Sequence, residues 1–242
     1  MNEIVREDIA GMSLEKLSPA DPKRFQLDTW APVFERLRTE DPVHYTPDSE
    51  WGPYWSITQF NDIMAVDKDF ATFSSEVGGI TVGDRDPKLD IKNFIRTDPP
   101  RHAPKRHTVS GVVAPPNLAK LEATIRARAG SILDSLPFDE EFDWVDKVSI
   151  ELTTQMLATL FDFPFDERRK LTYWSDVATS SGAAGNSSVD PAKRRAVLME
   201  CLEYFTKLYE ERAAKPPGDQ LDFITMLAHG PETQNMDPME FL

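Results

Sequence analysis

Residues 148–161 place the strongest constraint on the fold. Val148, Leu152, Met156 and Leu160 recur at i, i+4, and Leu157 and Phe161 widen the row. A helix apolar over so much of its circumference is buried broadly, so it needs other helices around it. The sequence supplies them. Residues 28–38 carry Trp30, Val33, Phe34 and Leu37, and residues 59–70 carry Ile63, Met64 and Val66, both at helical spacing. Leu118, Leu121, Ile125, Ile132 and Leu136 share a face behind Asn117, which reads as an N-cap. Residues 165–179 form a further helix, and a short one covers 219–228. Leu198, Cys201, Leu202, Phe205, Leu208 and Tyr209 make a stripe behind Asp190-Pro191, a cap followed by a first-turn proline. Asp237-Pro238 repeats that signature just before the last residue, Leu242, as though a longer helix begins there.

Proline outnumbers glycine, 19 to 11, which suits proline-started helices better than a glycine-turned sheet protein. One hairpin is expected: His44-Tyr45 and the run 54–57 flank a turn-rich segment. The fold class is therefore mainly α with a small β-hairpin near the N-terminus. Residues 71–97, with Gly78, Gly79 and Gly83, form a long irregular stretch of the kind often used for function, and 180–188 is a weakly structured linker. No internal repeat is present.

Charge and cysteine content narrow the function. With 27 basic against 41 acidic residues the formal charge is −14, which argues against a nucleic-acid binder. A single cysteine excludes an internal disulfide framework and a cysteine-held cluster. No run approaches the ~20 apolar residues of a membrane span, and the start lacks an apolar signal core. The expected location is the cytoplasm. The four histidines show no zinc spacing, and there is no nucleophile elbow, phosphate loop or dinucleotide fingerprint.

Against that acidic background, residues 101–107 hold five potentially cationic side chains: Arg101, His102, Lys105, Arg106 and His107. On a helix, His102 and Arg106 lie one turn apart on one face, with Arg101 and Lys105 on the neighbouring one. Pro104 requires the helix to have only just begun. Such a start can meet an anion, and it can equally be a solvated basic face.

The Asp98-Pro99-Pro100 run, the His102-x-x-x-Arg106 spacing, Val112-Val113-Ala114-Pro115 and the preceding Phe73-Ser74-Ser75 resemble, in the same order, the region around the third helix of bacterial cytochrome P-450 enzymes. Gly52-Pro53-Tyr54-Trp55-Ser56-Ile57-Thr58, Leu133-Asp134-Ser135-Leu136-Pro137, Met156-Leu157-Ala158-Thr159-Leu160 and Pro238-Met239-Glu240-Phe241 resemble the branch that hydroxylates medium-chain alkanes at the terminal carbon. The likeness implies a partial domain over 1–242, cut at the start of the long central helix, with 1–25 as an N-terminal extension.

The resemblance also implies roles. His102 and Arg106 would bond the propionates of haem b, and Ile80, Val82, Phe94, Trp174 and Val177 would contact the substrate, an alkane or alkyl chain. Arg101 and Lys105, extended by Arg126 and Arg128, would dock an acidic ferredoxin fed by NAD(P)H through a reductase. The iron-ligating Cys, the acid-Thr pair and the Glu-x-x-Arg pair would lie beyond Leu242. No catalytic residue or metal ligand is expected within the chain, and Cys201 reads as an inert core thiol. The whole enzyme would insert one oxygen atom from O2 into a terminal C–H bond, and this half alone would be inactive. The alternative is a non-catalytic helical module that binds a hydrophobic ligand.

Overall fold

The computed structural model describes residues 9–79, 82, 94–180, 190–219 and 221–241. They divide into two compact units, one ending before residue 91 and one starting there. The expected linker at 180–188 lies, apart from Ser180, outside the described residues, as does most of 80–93.

The first unit holds α1 (Pro22–Gln26), α2 (Ala31–Glu40), β1 (Val43–Thr46), β2 (Tyr54–Ile57), α3 (Phe60–Lys68) and the short α4 (Ser75–Gly78). The strands form the expected hairpin, antiparallel, with Val43 opposite Ile57 and Thr46 opposite Tyr54. Gly52, at φ 78°, supplies the left-handed turn residue. Strand alternation sends His44 and Thr46 inward and leaves Tyr45 to pack across on Trp55, with ring centroids 4.8 Å apart. His44 is fully enclosed, its Nδ1 2.7 Å from Asp41 Oδ2 and its Nε2 donating to the Leu17 carbonyl at 2.9 Å. That histidine is a structural clasp. Leu17, Val33 and Leu37 form the unit's core.

In the second unit a 3-10 turn (Phe94–Arg96) leads to α5 (His102–Ser110) and α6 (Pro115–Asp134). A π-helical segment (Val145–Ile150) then runs into α7 (Glu151–Phe161), followed by α8 (Arg169–Thr179), α9 (Pro191–Ala213), α10 (Phe223–His229) and a final 3-10 turn (Pro238–Phe241). Asp190 caps α9 through the Ala192 N–H at 2.8 Å, and Asp222 caps α10 through that of Thr225 at 2.8 Å. Asn117 is not a cap. Pro115 and Pro116 preset the helical φ and start α6 earlier, so the Asn117 amide donates back to the Val112 carbonyl at 2.6 Å.

The broad apolar face of α7 is half-buried, with Ala158 fully enclosed, where the helix packs on α6, α8 and α10. Phe163 and Trp174 lie at the centre, 6.1 Å apart edge to face, with Tyr204 stacked on Phe163 at 4.9 Å. Asp162 ends α7 in the left-handed conformation, φ 48°, and Arg212 donates to its side chain at 2.5 Å and its carbonyl at 3.2 Å. Arg128 is not on a docking face. It donates to the Gln155 carbonyl and Thr159 Oγ1, both at 2.6 Å, tying α6 to α7. Burial, reinforced by the charge of Arg168, lowers its pKa. Among the described residues no helix is long and apolar enough to cross a membrane.

Two predictions follow from this packing. A Cβ on Gly230 would lie 2.4 Å from Thr108 Cγ2 and 2.6 Å from Thr233 Oγ1. Gly230→Ala is therefore expected to cost about 1–3 kcal/mol in chemical denaturation through overpacking. The second concerns acid. Burial by itself would raise the Glu151 carboxyl, but the hydrogen bonds from Gln155, Arg168 and Arg169 and the charge of Arg168 outweigh it and hold the group below the usual carboxylate range. A depressed carboxyl stabilises the fold above its unfolded pKa, and that contribution disappears as pH falls through the folded value. Glu151→Gln should flatten the acid limb of the stability–pH curve; an unchanged slope would contradict this.

Candidate functional site

The basic segment folds as its proline demands. α5 starts at His102, so Pro104 sits in the first turn, where its missing N–H leaves no hydrogen bond unmade. His102 N–H donates to the Asp98 carbonyl at 3.2 Å. His102 and Arg106 follow one another at one-turn spacing. The imidazole is half-buried and stacked on Phe94, with ring centroids 4.7 Å apart and planes 30° apart. Arg106 is exposed, and among the described residues it has neither a hydrogen-bond nor an ion-pair partner. A ring nitrogen and an uncommitted guanidinium at this spacing can give charge-assisted hydrogen bonds to a pair of carboxylates.

Lys105 departs from the docking role expected of it. Its ammonium pairs with Glu240, and both side chains are largely withdrawn from solvent. Lys105 thereby joins the wall of a chamber of about 570 Å3. Leu157 and Phe161 of α7, Leu171 and Trp174 of α8, and Cys201 and Phe205 of α9 line it, together with Ile224 and Leu227 of α10. Phe94, Ile95, Val109, Met236 and Glu240 complete the circuit. The volume and the apolar lining suit a small hydrophobic molecule. A more polar cleft of about 810 Å3 lies between α5 and α10, where it meets His107, Asp219, His229 and Glu232. Among the described residues no cluster of histidine, cysteine and acidic side chains can hold a metal ion.

The residues expected to contact substrate are dispersed. Phe94 and Trp174 face the chamber. Val177 is buried in the adjoining core and is not on the chamber wall. Val82 is exposed and belongs to the first unit, while Ile80 lies outside the described residues. Cys201 lies on the wall, where burial and then the Glu200 charge push its thiol up to about 12, so it is neutral at physiological pH. The Lys105–Glu240 pair has no sequence signal, because 135 residues separate its members. The other wall residues are legible only as helical stripes. An apolar width greater than one neighbour can cover is the clue that α7 faces both a core and a cavity.

No family model matches the chain. Linalool 8-monooxygenase of Pseudomonas putida is 30% identical over 210 residues, covering 81% of this chain and 50% of that protein. Steroid C26-monooxygenase of Mycolicibacterium smegmatis is 31% identical over 195 residues, covering 76% and 45%. Among solved structures, cytochrome P-450-153 from Novosphingobium aromaticivorans superposes with a TM-score of 0.80 at 38% identity, over 93% of this chain and 56% of its own. CYP153D17 from a Sphingomonas species gives 0.80 and 38%, over 95% and 57%. The chain thus spans about half the length of the curated relatives it matches.

The contrast between the two α5 side chains is measurable. Arg106→Gln should change stability by no more than about 0.5 kcal/mol, as expected for an exposed side chain without a partner. His102→Ala, which removes the ring stacked on Phe94, should cost on the order of 1 kcal/mol. Chemical denaturation of the two variants checks both values.

Proposed function

The chain belongs to the cytochrome P-450 family, and on that premise we propose that it is part of a haem-dependent monooxygenase acting on the terminal carbon of an alkane or alkyl chain. The observation that carries this reading is α5. One side of the helix presents His102 and the uncommitted Arg106, and Lys105 and Val109 of the same helix border an apolar chamber. Two propionate carboxylates fit the first feature and a saturated chain fits the second. Haem b would supply the activation of O2 for insertion into a C–H bond.

The chain's own residues have simpler tasks. His102 and Arg106 hold carboxylates, and Phe94, packed on the His102 ring, keeps the imidazole in place. Trp174, Leu171 and Phe205 exclude water and accept an alkyl chain by shape, since such a chain offers nothing else to recognise. Cys201 is read as an inert thiol of the apolar α9 stripe and is not assigned to the iron. In this reading the iron ligand, and the remaining walls of the substrate site, belong to the rest of the enzyme. Electrons would reach it from NAD(P)H through a ferredoxin and its reductase.

Titration of the chain with haemin tests the assignment. Arg106→Gln and His102→Ala should each weaken binding about tenfold, the loss expected for one charge-assisted hydrogen bond, while Cys201→Ser leaves it unchanged. Equal affinity in wild type and both α5 variants would overturn the propionate assignment. Binding of an alkyl ligand with no affinity for haemin would favour a non-catalytic hydrophobic-ligand module.

A further inference from the structure

Most of what holds α5 against its neighbours has no direction. Thr108 packs beside Gly230, Val109 lies among apolar side chains, and His102 stacks on Phe94. Among the described residues the helix makes one side-chain hydrogen bond or ion pair to another element, from the Lys105 ammonium to the Glu240 carboxylate of the final 3-10 turn. Its other side-chain bonds stay within α5: Thr108 Oγ1 donates to the Pro104 carbonyl at 3.1 Å and Ser110 Oγ to that of His107 at 2.8 Å. The side chains of Lys105 and Glu240 are only 16% and 20% exposed. Ions so far withdrawn from water lose much of their mutual attraction to desolvation, and apolar residues of similar volume hold a fold together as well or better. Stability alone gives little account of the pair.

We propose that Lys105 and Glu240 are positioning residues: the pair fixes the rotation of α5 about its axis and so keeps His102 and Arg106 turned together towards one pair of carboxylates. Apolar contact permits a helix to roll, because burial is rewarded in any orientation. An ammonium drawn to a single carboxylate resists rolling. At about 100° per residue, Arg106 follows Lys105 by little more than a quarter-turn, so a roll that Lys105 resists is one that would swing Arg106 away. Arg106 has no partner among the described residues to do this for itself. The direction of the two carboxylate-holding side chains is thus set by a residue 135 positions from Lys105. An α5 freed of the pair would be aligned for only part of the time, and affinity falls with the aligned fraction.

The proposal rests on the reading of His102 and Arg106 as holders of haem propionates, and the experiment separates the two. Haemin affinity and the midpoint of chemical denaturation are measured for wild type, Arg106→Gln, the apolar pair Lys105→Met/Glu240→Leu, the single variant Lys105→Glu and the charge-swapped Lys105→Glu/Glu240→Lys. The apolar pair should keep its midpoint at or above that of wild type and yet bind haemin about fivefold more weakly. Lys105→Glu, which sets two carboxylates against each other, should weaken binding at least as much, and the charge swap should restore it to within about twofold of wild type. Without haemin, the His102 ring resonances, displaced by the facing Phe94 ring, should move in the apolar pair and return in the swap. If Arg106→Gln weakens binding but the apolar pair binds as wild type does, or loses affinity only in step with its midpoint, the positioning role is wrong and the propionate reading stands. If Arg106→Gln leaves the affinity unchanged, the propionate reading fails and the positioning role falls with it.

Discussion

The second unit depends on how much apolar surface α7, α8, α9 and α10 must hide from water. Each fully buried aliphatic or aromatic side chain contributes about 1.5–3 kcal/mol relative to exposure. Ala158, Leu171, Trp174, Val177, Val197, Leu208 and Ile224 converge on Phe163 to collect that energy. The apolar faces of these helices extend beyond the Phe163-centred core. The chamber adjoins that core. Its walls and the core are the same helices seen from two sides, which explains why Trp174 belongs to both.

Polar groups then determine what that apolar scaffold can hold. α5 distributes its cations in different directions. Arg106 is left in solvent, His102 is braced by Phe94, and Lys105 reaches Glu240 at the chamber wall. A continuous basic face is therefore not what this helix offers, although the run 101–107 suggests one. Arg128 makes the same point on α6, where its guanidinium satisfies backbone and hydroxyl oxygens of α7. Arginine and lysine in an acidic chain read as a patch until their individual partners are known.

The first unit is organised by a different device. His44 faces inward from a strand whose outward residues, Val43 and Tyr45, are the more hydrophobic, and it is retained because both ring nitrogens find partners. A buried polar group is tolerated when it is hydrogen-bonded. The enclosed position of Leu17 follows from the same arrangement, since its carbonyl supplies one of those partners.

Much of this was legible in the sequence alone. Helical stripes, Asp-Pro starts and the turn-rich gap between two short β-branched and aromatic runs locate α2, α3, the hairpin, α7, α8 and α9 to within a few residues, because side-chain periodicity and capping are local properties of the chain. The one-turn spacing of His102 and Arg106 is local as well. What tertiary structure alone decided is which of those cations keep free valences, where the chamber lies, and which predicted contacts reach it. Lys105 is neutralised by a residue 135 positions away, Val177 turns into the core while Trp174 meets the cavity, and α6 begins before Asn117. Those outcomes are set by contacts between distant segments competing for the same partners and the same volume, and no window along the chain contains both competitors.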